Sequence, residues 1–179
     1  MVVVVIIAVL ATISVPLFVT KMRERRAQQT ALQVAGLYRE ARMRALGRGA
    51  AVLVSYDGTS FSVQEGVEGA TAAVARTGSP DCQALPTQGC LTNPWNGTAS
   101  RSIASFDPAQ VSSDISTKLS DSSTSVDLCF TPLGRTFKRT SATSWQPLTS
   151  VVSFDVQRGA DGINRRVIVL PNGTARLGL

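Results

Sequence analysis

In MVVVVIIAVLATISVPLFVTKMRERR no charged side chain occurs before Lys21, and nearly every face of a helix over residues 1–11 is apolar. A helix over residues 1–20 rises about 30 Å, the thickness of a bilayer's hydrocarbon core. The β-branched valines and isoleucines give up rotamer freedom in a soluble helix. Hydrocarbon removes the alternative, because backbone groups there must bond internally. A cleavable secretory signal needs a basic start and a small-residue cleavage site. Nothing basic precedes the run, and PLFVTKMRERR follows it. Residues 1–20 are therefore read as a transmembrane helix. Pro16 removes an intrahelical hydrogen bond and kinks or loosens the preceding turn. Thr12 and Ser14 can partly re-satisfy the freed carbonyls, and Pro16 marks the helix's soft point.

The helix does not end at the basic cluster. In AQQTALQVAGLYREARMRALGRG, Ala27, Ala31, Val34, Tyr38, Ala41 and Ala45 recur at alternating spacings of four and three. That is one helical stripe, rich enough in alanine for close approach to a sheet. Gly47 and Gly49 supply a stop. Residues 21–48 are thus the amphipathic continuation of one rod about 70 Å long.

Charge is unevenly spread. Residues 21–48 carry eight basic and two acidic side chains, which equals the whole net charge of +6. Residues 49–134 carry three basic and eight acidic; residues 135–179 carry seven and two. Such a chain can meet its own copies or relatives by charge complementarity. There is no histidine, which removes Ser-His-Asp and Cys-His mechanisms and the commonest zinc ligand. No paired carboxylates at a diagnostic spacing and no glycine-rich phosphate loop occur, so no catalytic residue, cofactor or metal is assigned. Asp114, Asp121 and Asp127 are cation-ligand types, but their region reads as a solvated loop. Of the three cysteines, Cys82 and Cys90 flank DCQALPTQGC, and a bridge closing that loop suits an oxidising compartment. Cys129, in VDLCF, reads as a buried thiol, although three cysteines allow three different bridges.

From Gly49 the period changes. AAVLVSYDGTSFSVQ reads as two strands about Asp57-Gly58. A short strand is expected over residues 70–76, a loop over 77–101 and a flexible, Ser/Thr/Asp-rich connection over 112–125. VDLCFTPLGRTFKR reads as a hairpin about Pro132-Leu133-Gly134, VVSFDVQ as a strand, and INRRVIVLPNGTARLGL as a hairpin about Asn172-Gly173. The expected class is α+β: a long helix packed by its stripe on an antiparallel sheet, with residues 49–179 forming a β-rich globular head.

MVVVVIIAVLATISVPLF, with its proline at position 16, resembles the mature N-terminal helix of the type IV pilin-like superfamily. VDLCFTPLGRTF and INRRVIVLPNGTARL resemble the closing hairpins of the GspH/FimT family of minor pilins and type II secretion pseudopilins. That family begins with a basic leader and G-F-T-L-x-E, cut after the glycine and methylated at the new N-terminus. By that pattern Met1 falls two residues after the glutamate, and no residue here matches it. The reading frame upstream of Met1 is expected to encode something like GFTLIEL preceded by Lys or Arg. A basic leader there would also offset Lys21 to Arg26, which alone would draw the following side to the cytoplasm.

The resemblance implies a single-pass inner-membrane protein with its head in the periplasm, later incorporated into a surface pilus or a periplasmic pseudopilus. Its partners would be other minor pilins and the major pilin, with the chain priming or capping the filament and not acting as an enzyme. Both systems fit, and the reading leans to the pilus. The alternative is DNA binding at a pilus tip. Arg158, Arg165, Arg166 and Arg176 are the candidate anion patch, if they gather on one face of the final hairpin.

Overall fold

The computed structural model describes residues 2–67, 86–92, 95, 99–140, 144–159 and 164–178; of residues 2–20 and Arg23 only the backbone is described. Helix α1, Val2–Arg48, is continuous through Pro16 and leads into an antiparallel β head. Among the described residues ten strands follow: β1 Val52–Tyr56, β2 Phe61–Gly66, β3 Ser100–Phe106, β4 Ile115–Leu119, β5 Val126–Phe130, β6 Thr136–Arg139, β7 Gln146–Pro147, β8 Val152–Arg158, β9 Asn164–Val169 and β10 Ala175–Leu177. A short helix, α2 Pro108–Val111, is started by the Asp107 side chain accepting from the Ala109 amide.

The strands form two sheets. The first has the order β3-β2-β1-β5-β6-β7 and the second β10-β9-β8-β4. Helix α1 contacts β1 and β5 of the first and β8, β9 and β10 of the second. Its stripe is buried as the periodicity predicts: Ala27, Ala31, Val34, Tyr38, Ala41 and Ala45 are at most 2% exposed. The helix ends at Gly49, whose φ of +69° suits the left-handed C-terminal position.

Between helix and sheets lies an aromatic core. Tyr38 stacks on Phe154 at 5.4 Å between ring centres, and Tyr56 stacks on Phe61 at 4.6 Å. Phe61 and Phe130 meet Tyr38 edge-on. Burying rings of this size accounts for much of a small head's stability. The two hairpins singled out in the sequence meet here. Gly173, at φ +78°, sits so close to β5 and β6 that a Cβ would lie 2.7 Å from Thr136 Oγ1 and 3.0 Å from the Phe130 ring. Only glycine satisfies both the turn and the contact.

Three expectations need correction or relocation. Residues 112–125 are not simply a flexible connection, since β4 runs through them with Ile115, Thr117 and Leu119 buried. Pairing with β8 in register (Thr117 opposite Val156) turns Ser116 and Lys118 outward. The loop expected over residues 77–101 gives way at its end to β3, which begins at Ser100 and pairs with β2 across a register shift between Val63 and Gln64. The strand expected over residues 70–76 falls outside the described residues.

Cys90 bonds to Cys129, with Cα atoms 5.9 Å apart, so the Cys82–Cys90 bridge does not form; Cys82 itself lies outside the described residues. The reason is positional. Cys129 alternates onto the outer face of β5, opposite Leu53, while Val126, Leu128 and Phe130 face the core. The chain from Pro86 returns over that face, and the Ala51 amide donates to the Thr87 carbonyl at 2.7 Å. Cys90 is thereby brought onto Cys129 above Ala51 and Leu53, with Trp95, Phe137 and Trp145 around them.

Candidate functional site

Two features could mediate contacts with other molecules: the helix and the charged faces of the head. Among the side chains described on α1, burial by the head begins at Ala27, and Lys21, Met22, Arg25 and Arg26 are exposed. Lys21 and Glu24 pair at 3.2 Å in open solvent, which contributes little. Beyond Ala27 the solvent side of the helix still carries Leu32, Met43 and Leu46 at 42–64% exposure. Among the residues described with their side chains, no helix is long and apolar enough to cross a membrane. The membrane reading of residues 1–20, and the role of Pro16 as soft point, concern side chains that are not described.

The four arginines of the final strands do not gather. Strand alternation separates them. Arg158 continues the inward set Val152, Phe154 and Val156, and Arg165 lies opposite Val156 on that same inner face. Arg166 and Arg176 point outward with Ile168, and Lys118 of β4 joins that outer face opposite Asp155. Asp155 already holds Arg166, with Arg166 Nε donating at 2.8 Å, and accepts from Ser120 Oγ at 2.7 Å. The Arg166 contact, with Ser120, holds the Asp155 carboxyl below its usual range. The outer face therefore presents Lys118 and Arg176, plus an Arg166 partly neutralised by its neighbour.

Residues that sequence reasoning missed form the most buried charge. Glu65, 1% exposed, points from β2 toward the helix. Arg44 Nη2 lies 2.9 Å from its Oε2, Arg48 Nε 2.8 Å from its Oε1, and Arg101 Nη2 3.4 Å from Oε2. Arg44 and Arg48 are four apart, one turn of the same helix face. Alternation offers a signal for Glu65: in FSVQEG it shares parity with the buried Phe61 and Val63. A carboxylate so buried requires compensation, and the three guanidiniums supply it.

The three aspartates considered as cation ligands are dispersed. Asp127 accepts from Ser55 Oγ and from Arg139, whose Nη2 is 2.6 Å away and whose guanidinium lies 4.4 Å from the centre of the Trp145 ring. Asp121 pairs with Lys138 at 3.1 Å. The Asp114 carbonyl accepts from the Gly159 amide. Among the described residues no cluster of His, Cys, Asp and Glu is placed to hold a metal ion.

Two tyrosine hydroxyls mark the seam between helix and sheets. Tyr56 reaches the Gly58 carbonyl at 2.8 Å and, across to the second sheet, the Thr117 carbonyl. Burial pushes its pKa up to about 12. The Tyr38 hydroxyl is fully buried and has no hydrogen-bond partner among the described residues, and burial pushes its pKa well up.

A long N-terminal helix laid against antiparallel sheets that close with two hairpins is the pilin-like α+β fold. Among solved structures, the chain is similar to the type IV minor pilin FimU of Pseudomonas aeruginosa. One crystal form aligns with a TM-score of 0.52 at 14% identity, covering 88% of this chain and 91% of that one. A second gives 0.48 at 14% identity, covering 85% and 92%. No family model matches the sequence, and no curated protein does. At this identity the likeness speaks for the fold.

Proposed function

We propose that the chain is a minor subunit of a type IV pilus or of a related pseudopilus. Residues 1–20 hold it in the inner membrane before assembly and enter the filament core afterwards, and residues 21–48 join that rod to a periplasmic head, 49–179. The observation that carries the reading comes from the part of the helix whose side chains are described: Lys21, Met22, Arg25 and Arg26 stand exposed, and burial by the head begins at Ala27. The uncharged segment before Lys21 supports the same reading. The cystine suits an oxidising compartment. The chain is read as a structural subunit whose partners are other minor pilins and the major pilin.

The test is fractionation of the native host with an antibody to the head. The chain should appear in the membrane fraction, and in small amount in sheared surface filaments or periplasmic pseudopili, dependent on the assembly ATPase. A chain recovered wholly as soluble protein, or unaltered by loss of the ATPase, overturns the reading.

A second reading, DNA binding at a pilus tip, is favoured only by the uncovered outer face bearing Lys118, Arg166 and Arg176. Binding through phosphates should weaken steeply with salt. It should fall on Arg176→Ala and Arg166→Ala and be indifferent to Arg158→Ala; salt-insensitive binding, or none, removes this reading.

A further inference from the structure

At one side the first sheet ends in β3, whose pairing with β2 shifts register between Val63 and Gln64. Residues 102–106 of β3 pair with β2 on one side, and among the described residues no strand pairs with the other. Beside that free edge runs a groove of about 370 Å³ against helix α1. Its apolar lining comes from Leu37, Ala41, Val63, Ile103 and Phe106. The walls are of similar length. From Gln33 to Arg44 the helix advances about 16 Å, and β3 from residue 102 to 106 covers about 13 Å.

The two ends of the groove differ in charge. Arg44 lines it at the end near residue 102, because Arg44 and Arg101 both reach Glu65 there. Arg48 lies on the same carboxylate, so Arg44 and Arg48 share Glu65 at that end. Their side chains remain 26–46% exposed. Glu40, midway along the helix wall, disfavours a negative charge in the centre.

We propose that this groove takes an extended segment of another polypeptide, apolar along its length and acidic at one end. It adds as an antiparallel strand to residues 102–106, so that its C-terminal carboxylates lie over Arg44 and Arg48. Exposed edges are natural templates for such addition. Main-chain hydrogen bonds supply affinity, and the groove and the charged end supply selection. The inference stands apart from the filament reading, since a peptide can bind the head whether or not the chain ever assembles.

The experiment uses the full chain in detergent and a fluorescein-labelled peptide of about nine residues, alternating valine and threonine and ending in a pair of glutamates. Fluorescence anisotropy should show saturable binding, and amide exchange should slow at residues 102–106. A peptide ending in lysines should bind at least about tenfold more weakly. A backbone N-methylated acidic peptide should not bind, because it cannot donate to the edge. Ile103→Asp should abolish binding while leaving the melting curve in place. Absence of saturable binding, equal binding of the lysine peptide, or binding without protection of residues 102–106 would each overturn the proposal. The peptide controls act on the unaltered protein, so they decide the matter even where Ile103→Asp fails to fold.

Discussion

The first sheet is covered on both faces and the second on only one. On β1, Val52, Leu53 and Val54 are buried in succession, and on β5 so are Leu128, Cys129 and Phe130. On β4, and on β8 as far as Gln157, buried residues alternate with more exposed ones. The inner faces are alike, both packed on the helix through aromatic rings. The difference lies outside. A returning segment pinned by Cys90–Cys129 lies over the first sheet, whereas the second turns Lys118, Arg166 and Arg176 to water. A continuous apolar run thus records a second cover, and an alternating one records its absence.

The largest effect should come from breaking what the sheets share. Phe154 sits on the second sheet and touches Tyr38, Tyr56 and Phe61. Phe154→Ala should cost about 3–5 kcal/mol in urea unfolding, transfer and cavity combined. If the loss is under about 1 kcal/mol, the sheets do not share one core. Next comes the cover itself. Replacing Cys90 and Cys129 by serine opens a loop with a sequence separation of 39, which should cost about 2–4 kcal/mol. Amide protection should fall on the outer side of the first sheet and stay unchanged on the second. Uniform loss across both sheets would mean the cover is not a separate layer.

A smaller effect tests the seam. Tyr56 titrates near 12 when folded against about 10 when unfolded. The folded state therefore holds the extra proton. Stability from this group is intact below pH 10 and declines as pH rises from about 10 to 12. Tyr56→Phe should make the decline above pH 10 shallower, leaving the part due to Tyr38, whose pKa burial also raises; a pH series of melting temperatures on both proteins reads the difference. The smallest change, and of opposite sign, is Tyr38→Phe. It deletes a buried hydroxyl without a partner among the described residues and should leave stability unchanged or raise it by about 1 kcal/mol.

The helix and both closing hairpins were legible because each rests on local rules. The stripe from Ala27 to Ala45 follows the helical period, and Asn172-Gly173 and Pro132-Leu133-Gly134 are turns with their own chemistry. β4 is hard to read because Ser, Thr and Asp dominate residues 112–125, while only Ile115, Thr117 and Leu119 carry the alternation. The disulfide could not be read at all. It depends on which face Cys129 takes and where a distant segment returns, and neither is local. The arginine patch failed for a related reason: neighbours in sequence, such as Arg165 and Arg166, take opposite faces of a strand. Glu65 was overlooked because its partners come from a helix and a strand remote in the chain.

The layered arrangement also sorts the chain's natural chromophores. Both tryptophans, Trp95 and Trp145, lie around the cystine on the outside of the first sheet. Both tyrosines, Tyr38 and Tyr56, lie in the core beneath the helix. Red-edge excitation reaches the indoles alone, and a disulfide quenches indole emission. Tryptophan brightness therefore follows the outer cover and its oxidation state. Tyrosine absorbance follows the seam between helix and sheets, so the protein carries separate built-in dyes for its two layers.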